Sequence, residues 1–337
     1  MEYVFYIYLA ILTVVLAFKG TVMRSKLLDG LLLGSLIALS VIVRQNPHSD
    51  MIVYISSMEI SPQDLFANEY FIKNIVYWGT TSLLYHWGLS PSLIFYILDL
   101  ASFILLLRAR KLKHIPYYFI PLFYVSFIGI FGFQNIYRQY LATILLIYVY
   151  SIIRKRPLIG YFLFMFAVLI HTSSILLIGA IFIERRDGVI NKYIYAIGLL
   201  LMMVLAPVVF STDYMFNSGE NYNTLYLFVV LLLTLFIIFS VRLGKSSWTE
   251  ALSTLQVPLY FSGLGVLSYF SMGTSLFYER VVLLLLPFMI LFVSQLIQLY
   301  KERRFFNLGL AIILIIPTFT FSATQAMLDN SLFLFDD

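Results

Sequence analysis

Long apolar runs follow one another along almost the whole chain, and they constrain its fold more than any other feature of the sequence. A helix needs about 20 apolar residues to cross the hydrocarbon core of a bilayer, and ten runs approach that length. Lipid offers no partners to backbone N–H and C=O groups, so such runs are stable there as helices, which bond internally. The runs predict an all-α polytopic membrane protein. They lie at residues 3–18, 27–43, 92–107, 115–133, 138–152, 193–210, 223–241, 250–271, 280–299 and 305–322.

The composition excludes several classes of protein. Only 12% of the 337 residues are charged and 61% are hydrophobic, whereas a soluble domain carries about 25% charged residues. A cytosolic enzyme and a nucleic-acid-binding module are therefore excluded. The net charge of +5 is typical of the basic cytoplasmic loops of a membrane protein. Because the chain has no cysteine and only four histidines, we expect no disulfide, no metal centre and no cofactor.

The charges around the first run predict the orientation of the chain. Glu2 precedes this run, and Lys19, Arg24 and Lys26 follow it. A secretory signal peptide has the reverse order, with its positive charge first. Because Lys and Arg favour the cytoplasmic side, we expect an uncleaved first span with its N-terminus outside.

Residues 71–88 could cross the membrane or lie flat on its surface. If they crossed, the basic cluster 108–113 would lie outside, against the charge bias, so we expect them to lie in the interface. Within this stretch, Trp78, Tyr85 and Trp87 suit an interfacial position.

Residues 158–183 are too long for one ordinary span and short for two. As a single span they would place Arg185 and Arg186 outside, so we expect a tight hairpin that breaks near His171. The charge count then gives about twelve membrane segments with both termini outside. We expect a single transmembrane domain over 1–337, with one large outer loop at 44–91 that contains short interfacial helices.

Three arginines fall on the outer side of this topology, against the charge bias. Arg44 ends the second span, Arg138 opens the fifth, and Arg280 opens a late span beside Glu279. The planar guanidinium fork suits phosphate oxygens, so the three form a candidate clamp for a lipid-linked pyrophosphate. The alternative is that each arginine pairs with a nearby acid or extends to lipid phosphates.

Other polar residues of the membrane and its outer boundary have a chemical and a structural interpretation. His171 could serve as acid, base or phosphate ligand, or it could cap the helix broken at that point. Asp50 and Tyr54 are spaced to share a helix face. Asp50 could be a general base or bind a sugar hydroxyl, or it could be an ordinary solvated loop acid. The same two interpretations apply to Glu69. Asp99 falls inside the third span, and we favour helix packing through hydrogen bonds for it.

Read in order, these residues resemble a known family. The pattern is Arg44, Asp50-x-x-x-Tyr54, Glu69, Asn135-x-x-Arg138-Gln139-x-Leu-Ala, His171-x-Ser and Glu279-Arg280. It resembles the EpsG-type branch of the Wzy polysaccharide polymerases, over about residues 40 to 300. The Asn-x-x-Arg-Gln and His-x-Ser elements are the more specific parts. The residues before Asp50 depart from the family, which often carries Gly there.

The resemblance implies a fold, an activity and a set of partners. It implies a GT-C-like glycosyltransferase architecture in the bacterial inner membrane, with its active site facing the periplasm or the cell exterior. The implied reaction joins undecaprenyl-pyrophosphate-linked oligosaccharide repeat units into O-antigen, capsule or exopolysaccharide. The implied partners are this lipid-linked oligosaccharide, the bilayer, and a chain-length regulator and flippase of the same pathway.

The resemblance also implies roles for particular residues. Pyrophosphate would be bound by Arg44, Arg138 and Arg280; the proton of the acceptor hydroxyl would pass to Asp50, Glu69 or His171; and the substrate would be contacted by Tyr54, Asn135, Gln139 and Glu279.

Three other functions stay open at the level of the sequence. An O-antigen ligase would use the same lipid-linked donor, and its large outer loop tends to lie late in the chain, whereas here it lies early. A transporter or flippase should carry charged or discontinuous helices at the midplane, where Asp99 is the main charge. A membrane O-acyltransferase could use His171 as its base.

Overall fold

The computed structural model of the chain describes residues 2–20, 25–45, 50–185, 223–244, 248–272, 276–298 and 303–320. Over these residues the structure is helical and contains no strand. The expected all-α fold is therefore confirmed for this part of the chain. The predicted span at 193–210 lies outside the described residues.

The helices follow the apolar runs of the sequence in order. They are α1 Glu2–Lys19, α2 Lys26–Gln45, α3 Asp50–Met58, α4 Pro62–Ala67, α5 Glu69–Ile72, α6 Ile75–His86, α7 Pro91–Lys113, α8 Phe119–Val125, α9 Phe127–Gln134, α10 Tyr137–Ile152, α11 Pro157–Ile170, a 3₁₀ helix Thr172–Leu177, α12 Ile178–Arg185, α13 Asn223–Gly244, α14 Trp248–Met272, α15 Leu276–Ile297 and α16 Arg303–Thr320.

Several of the described helices have the length and composition of membrane spans. Those long and apolar enough to cross a bilayer are Glu2–Lys19, Lys26–Gln45, Pro91–Lys113, Tyr278–Ile297 and Arg303–Thr320. Shorter apolar stretches are Pro157–Ile170, Thr172–Ile181 and Tyr226–Val241. The five long helices begin close to the starts of predicted runs, which supports a membrane protein. The count of about twelve segments and the GT-C-like architecture stay predictions.

The chain clusters into two compact units. The first contains the described residues of 1–148, 165–171 and 302–337, and the second those of 149–164 and 172–301. The single transmembrane domain expected from the sequence stays a prediction.

In the first unit, α2 and α7 pack antiparallel and are joined near both ends. Asp29, in the first turn of α2, forms ion pairs with Arg110 at 3.1 Å and Lys111 at 3.0 Å, in the last turn of α7. At the other end of α2, Arg44 forms an ion pair with Asp99 at 3.0 Å. The start of α2 therefore lies beside the end of α7, and the end of α2 lies on the same side as the start of α7. The residues between the two helices thus begin and end on one side, which excludes a single crossing by them. This agrees with the prediction that 71–88 does not cross the membrane.

The apolar run at 115–133, expected to be one span, is instead divided into α8 and α9. Ser126 separates the two helices in an extended conformation, with φ −71° and ψ 151°. Its hydroxyl donates to the carbonyl of Phe123 at 2.9 Å. Gly129 permits the close return of the chain, since a Cβ there would clash with the carbonyl oxygen of Phe123. An apolar run indicates that its residues are buried or lie in lipid, but it does not indicate whether they form one helix or two. The sequence therefore did not predict the break.

In the second unit, an ion pair closes the hairpin predicted at 158–183. Arg154, just before α11, donates to the carboxylate of Glu184 at 3.0 Å and to its carbonyl at 2.7 Å, near the end of α12. The stretch therefore returns to the place where it began. Helix α11 ends at Ile170, and the chain turns at His171 into the 3₁₀ helix. The predicted break near His171 is confirmed.

The division between α8 and α9 predicts a specific sensitivity at Gly129. Gly129→Ala places a methyl group against backbone atoms, so we expect a loss of about 1–3 kcal/mol in stability, as for other overpacked sites. The measurement is the thermal stability of the detergent-solubilised protein. Gly34→Ala in α2 is the matched control, because no heavy atom lies within 4 Å of the added methyl group. Equal melting temperatures for the two variants would contradict the close approach.

The orientation of the chain can be tested by labelling, since the protein has no natural cysteine. Ser90, before α7, and Lys155, before α11, are both exposed. In intact spheroplasts we expect an impermeant maleimide to label Ser90→Cys, and to label Lys155→Cys only after the membrane is permeabilised. Labelling of Lys155→Cys in intact spheroplasts would show that the predicted orientation is wrong.

Candidate active site

Two distant elements of the sequence pattern meet in the first unit. Asp50 is the first residue of α3, and Asn135 lies between α9 and α10. With the side-chain amide oriented by its partners, the nitrogen of Asn135 donates to the two carboxylate oxygens of Asp50, at 3.0 and 3.3 Å. Both residues are half-buried. The start of α3 and the start of α10 are therefore joined by a polar contact.

Arg138 lies three residues after Asn135, in the first turn of α10, and is 6% exposed. The central carbon of its guanidinium is 4.6 Å from the ring centroid of Trp78 and 5.7 Å from that of Tyr54. A cation over an aromatic face is attracted by the ring quadrupole. Tyr54 lies one turn after Asp50 on α3 and is buried. The structure thus brings Asp50, Tyr54, Asn135 and Arg138 together.

The position of Trp78 differs from the sequence-based expectation. It is 1% exposed and faces inward, whereas Trp87, at the end of the same helix, is 68% exposed. The buried residues of α6 are Tyr77, Trp78, Thr81 and Ser82. Their spacing is that of one helix face, and this pattern could have identified Trp78 as an inward-facing residue. Its contact with Arg138 had no signal in the sequence.

Tyr77 belongs to the same aromatic cluster. Its ring centroid is 5.0 Å from that of Trp78 and 5.7 Å from that of Tyr54. Burial, more than any neighbouring charge, raises the pKa of Tyr77 well above its ordinary value. The side chain is therefore a neutral phenol over the whole physiological range of pH.

A second arginine, Arg44, forms a buried ion pair with Asp99, and other side chains hydrogen-bond to this pair. Its Nε and Nη2 donate to the two carboxylate oxygens of Asp99, at 3.0 and 3.2 Å, and its Nη1 donates to the carbonyl of Phe133 at 3.1 Å. Asp99 also accepts from Ser40 at 2.6 Å and from Tyr137 at 2.7 Å. The interpretation that Asp99 joins helices by hydrogen bonds is confirmed. For Arg44, the structure shows the paired alternative, and its use as a pyrophosphate ligand stays a prediction.

The Arg44–Asp99 ion pair also positions the helix that carries Arg138. Tyr137, the preceding residue, donates to Asp99, and its ring lies 4.6 Å from the guanidinium carbon of Arg44. The same ring stacks on Tyr140, one turn later, with centroids 5.7 Å apart. The first turn of α10 is therefore held by a charge pair inside the unit, which orients the residue that follows Tyr137.

The structure also gives the positions of the other residues predicted from the pattern. Gln139 is buried in the first turn of α10, and Glu69 is exposed at the start of α5. His171 is buried at the turn between α11 and the 3₁₀ helix. Glu279 and Arg280 are half-buried near the start of α15, in the second unit. The roles of these five residues stay predictions.

The arrangement offers three chemical capacities around Arg138. The guanidinium supplies a positive charge with several N–H donors for anionic oxygens. The carboxylate of Asp50 can accept a proton, and the amide of Asn135 orients that carboxylate. Among the described residues no group of three or more His, Cys, Asp or Glu is placed to hold a metal ion.

Comparison with known proteins gives one match. A family model described as the EpsG family matches residues 26–335, a range that includes every candidate residue named above. No curated protein and no solved structure matches the chain significantly.

The buried pair predicts an asymmetric response to mutation. Asp99→Leu leaves the Arg44 charge buried without its carboxylate, and breaking such a pair costs about 3–5 kcal/mol. The double variant Arg44→Met, Asp99→Leu should recover most of that loss, because apolar replacement of both partners is often neutral. The measurement is the thermal stability of each purified variant, with the exposed Glu59→Leu as control. Additive losses in the double variant would contradict the pairing.

Proposed function

The chain belongs to the EpsG family, and from this premise we propose that it polymerises undecaprenyl-pyrophosphate-linked oligosaccharide repeat units into a surface polysaccharide. Membership of the family indicates a polysaccharide polymerase-type membrane protein. Our proposal adds the lipid-linked donor, the bacterial inner membrane, and a site that faces the periplasm or the cell exterior. The donor already carries its polyprenyl group, which suits a site remote from cytosolic sugar nucleotides.

The observation that carries the proposal is the meeting of two separate parts of the family pattern. Asn135 donates to Asp50, and Arg138 lies against Tyr54 and Trp78. A base, an oriented sugar ligand and a cation for the leaving group are the groups that glycosyl transfer from a pyrophosphate requires.

The proposed reaction exchanges one bond for another. The hydroxyl oxygen of the acceptor sugar attacks the anomeric carbon of the donor and forms a new glycosidic bond. The bond from that carbon to the pyrophosphate oxygen breaks, and its electron pair leaves with undecaprenyl pyrophosphate. The proton of the acceptor hydroxyl passes to a base. Negative charge grows on the departing oxygen, so a cation placed there lowers the barrier.

Asp50 is our preferred base among the three candidates. Its carboxylate is oriented by Asn135, and a positioned carboxylate is a common general base. Glu69 is exposed on a short helix, which favours it less. His171 stays a candidate because a buried imidazole can act as base or phosphate ligand.

Arg138 is our preferred ligand for the leaving pyrophosphate. Its position next to Tyr137 places it on a turn that the Arg44–Asp99 pair holds in place. Arg280, with Glu279, is a further candidate from the family pattern. The guanidinium of Arg44 donates to Asp99 and Phe133, so it would have to exchange these partners to bind pyrophosphate.

The proposal predicts the glycan chain lengths, seen as a ladder of bands on a gel, in a polymerase-deficient strain that expresses this protein. In a host that lacks its own polymerase but makes the matching repeat unit, wild-type protein should restore multi-repeat glycan. Arg138→Ala and Arg138→Lys should each lose most of it, about 100-fold or more if the charge-stabilising contact resembles other sites of this type. Lysine keeps the charge but loses the bidentate fork. The measurement is gel electrophoresis of lipid-linked and surface glycan at equal protein levels.

Arg156→Lys, a change at an exposed arginine before α11, is the matched control and should give a normal ladder. A normal ladder from Arg138→Ala would remove Arg138 from the site. Single repeat units that persist with wild-type protein would overturn the polymerase, and transfer of preformed chains to a second acceptor would indicate a ligase.

A further inference from the structure

The guanidinium of Arg138 rests on the ring of a tryptophan from a different segment of the chain. Trp78 belongs to α6, in the predicted outer loop, while Arg138 opens α10. The two are separated by 4.6 Å, measured from the guanidinium carbon to the ring centroid. Trp is the aromatic residue that attracts cations most strongly. The contact therefore links the outer loop directly to the cation of the candidate site.

We propose that Trp78 is the positioning residue for Arg138, and that its ring sets the direction in which the guanidinium meets the pyrophosphate of the lipid-linked substrate. This proposal rests on the proposed function. Trp78 acts through Arg138, and it does not itself touch the substrate.

The charge of the guanidinium explains why an aromatic ring suits this task. The face of the ring attracts the cation without neutralising it, and the planar fork of N–H donors suits phosphate oxygens. A guanidinium held 4.6 Å from the centroid of a fixed ring is therefore restrained in position while it keeps the charge that a pyrophosphate requires.

The ring of Trp78 is itself fixed on several sides. Its centroid lies 5.0 Å from that of Tyr77, 5.3 Å from that of Phe71 and 5.7 Å from that of Tyr54. The side chain is 1% exposed, so it has little room to rotate. Helix α6, which carries it, packs against α3 and α7. Movement of α6 would therefore change the contact between Trp78 and the Arg138 guanidinium.

The test is binding of radiolabelled undecaprenyl pyrophosphate to the full-length protein in nanodiscs. This probe is the leaving group alone, so its binding does not depend on the sugars. Trp78→Leu should weaken binding about tenfold, which is within the range of a partly desolvated cation–π contact. Trp78→Phe keeps an aromatic face and should stay within about threefold of wild type. Trp87→Leu, the same change at an exposed tryptophan of the same region, should bind as wild type.

A double-mutant cycle separates positioning from simple loss of packing. If Trp78 acts through Arg138, then Trp78→Leu should have little further effect on the residual binding by Arg138→Gln, which removes the cation that the ring attracts. Full additivity in the cycle would overturn the positioning role. So would wild-type affinity in Trp78→Leu when Arg138→Ala has lost binding.

Two other results would count against the proposed function instead. Wild-type affinity in Arg138→Ala would remove the pyrophosphate site on which the positioning role depends. No binding by the wild-type protein, in nanodiscs that support polymerisation, would place the leaving group elsewhere. Failure of the positioning role alone and failure of the site are thus distinguished by the Arg138→Ala measurement.

Discussion

The buried ion pair between Arg44 and Asp99 is the interaction on which the first unit depends. A charge inside a membrane protein is costly unless it is paired and its hydrogen bonds are satisfied. Here the Arg44 guanidinium donates to both carboxylate oxygens of Asp99. The hydroxyls of Ser40 and Tyr137 donate further hydrogen bonds to the same carboxylate. These residues come from α2, α7 and α10, so a single cluster sets the relative placement of three helices.

The candidate site is built on this cluster. Tyr137 connects the ion pair to the first turn of α10, and Arg138 follows it immediately. From the other side, α3 and α6 supply Asp50 and Trp78. The Arg44–Asp99 pair therefore fixes one side of the site, and α3 and α6 form the other.

Some of these features could be predicted because they follow from length, hydropathy and charge. The hairpin near His171 was predicted from the basic residues that follow it, and the Arg154–Glu184 pair agrees. The break at Ser126 could not be predicted, because an apolar run gives no information about helix continuity. Trp78 was assigned to the interface by residue type, whereas the packing of α6 on its neighbours turns it inward.

The sequence by itself determined that the chain is a helical membrane protein with the residue pattern of a polysaccharide polymerase. Apolar run length and the placement of Lys and Arg are sufficient for the first conclusion, and the spacing of a few polar residues for the second. Only the tertiary structure decided which arginine has which environment. Arg44 and Arg138 have the same side chain and a similar predicted depth, but one meets the carboxylate of Asp99 and the other the ring of Trp78. Those partners come from distant segments, and folding alone brings them within reach.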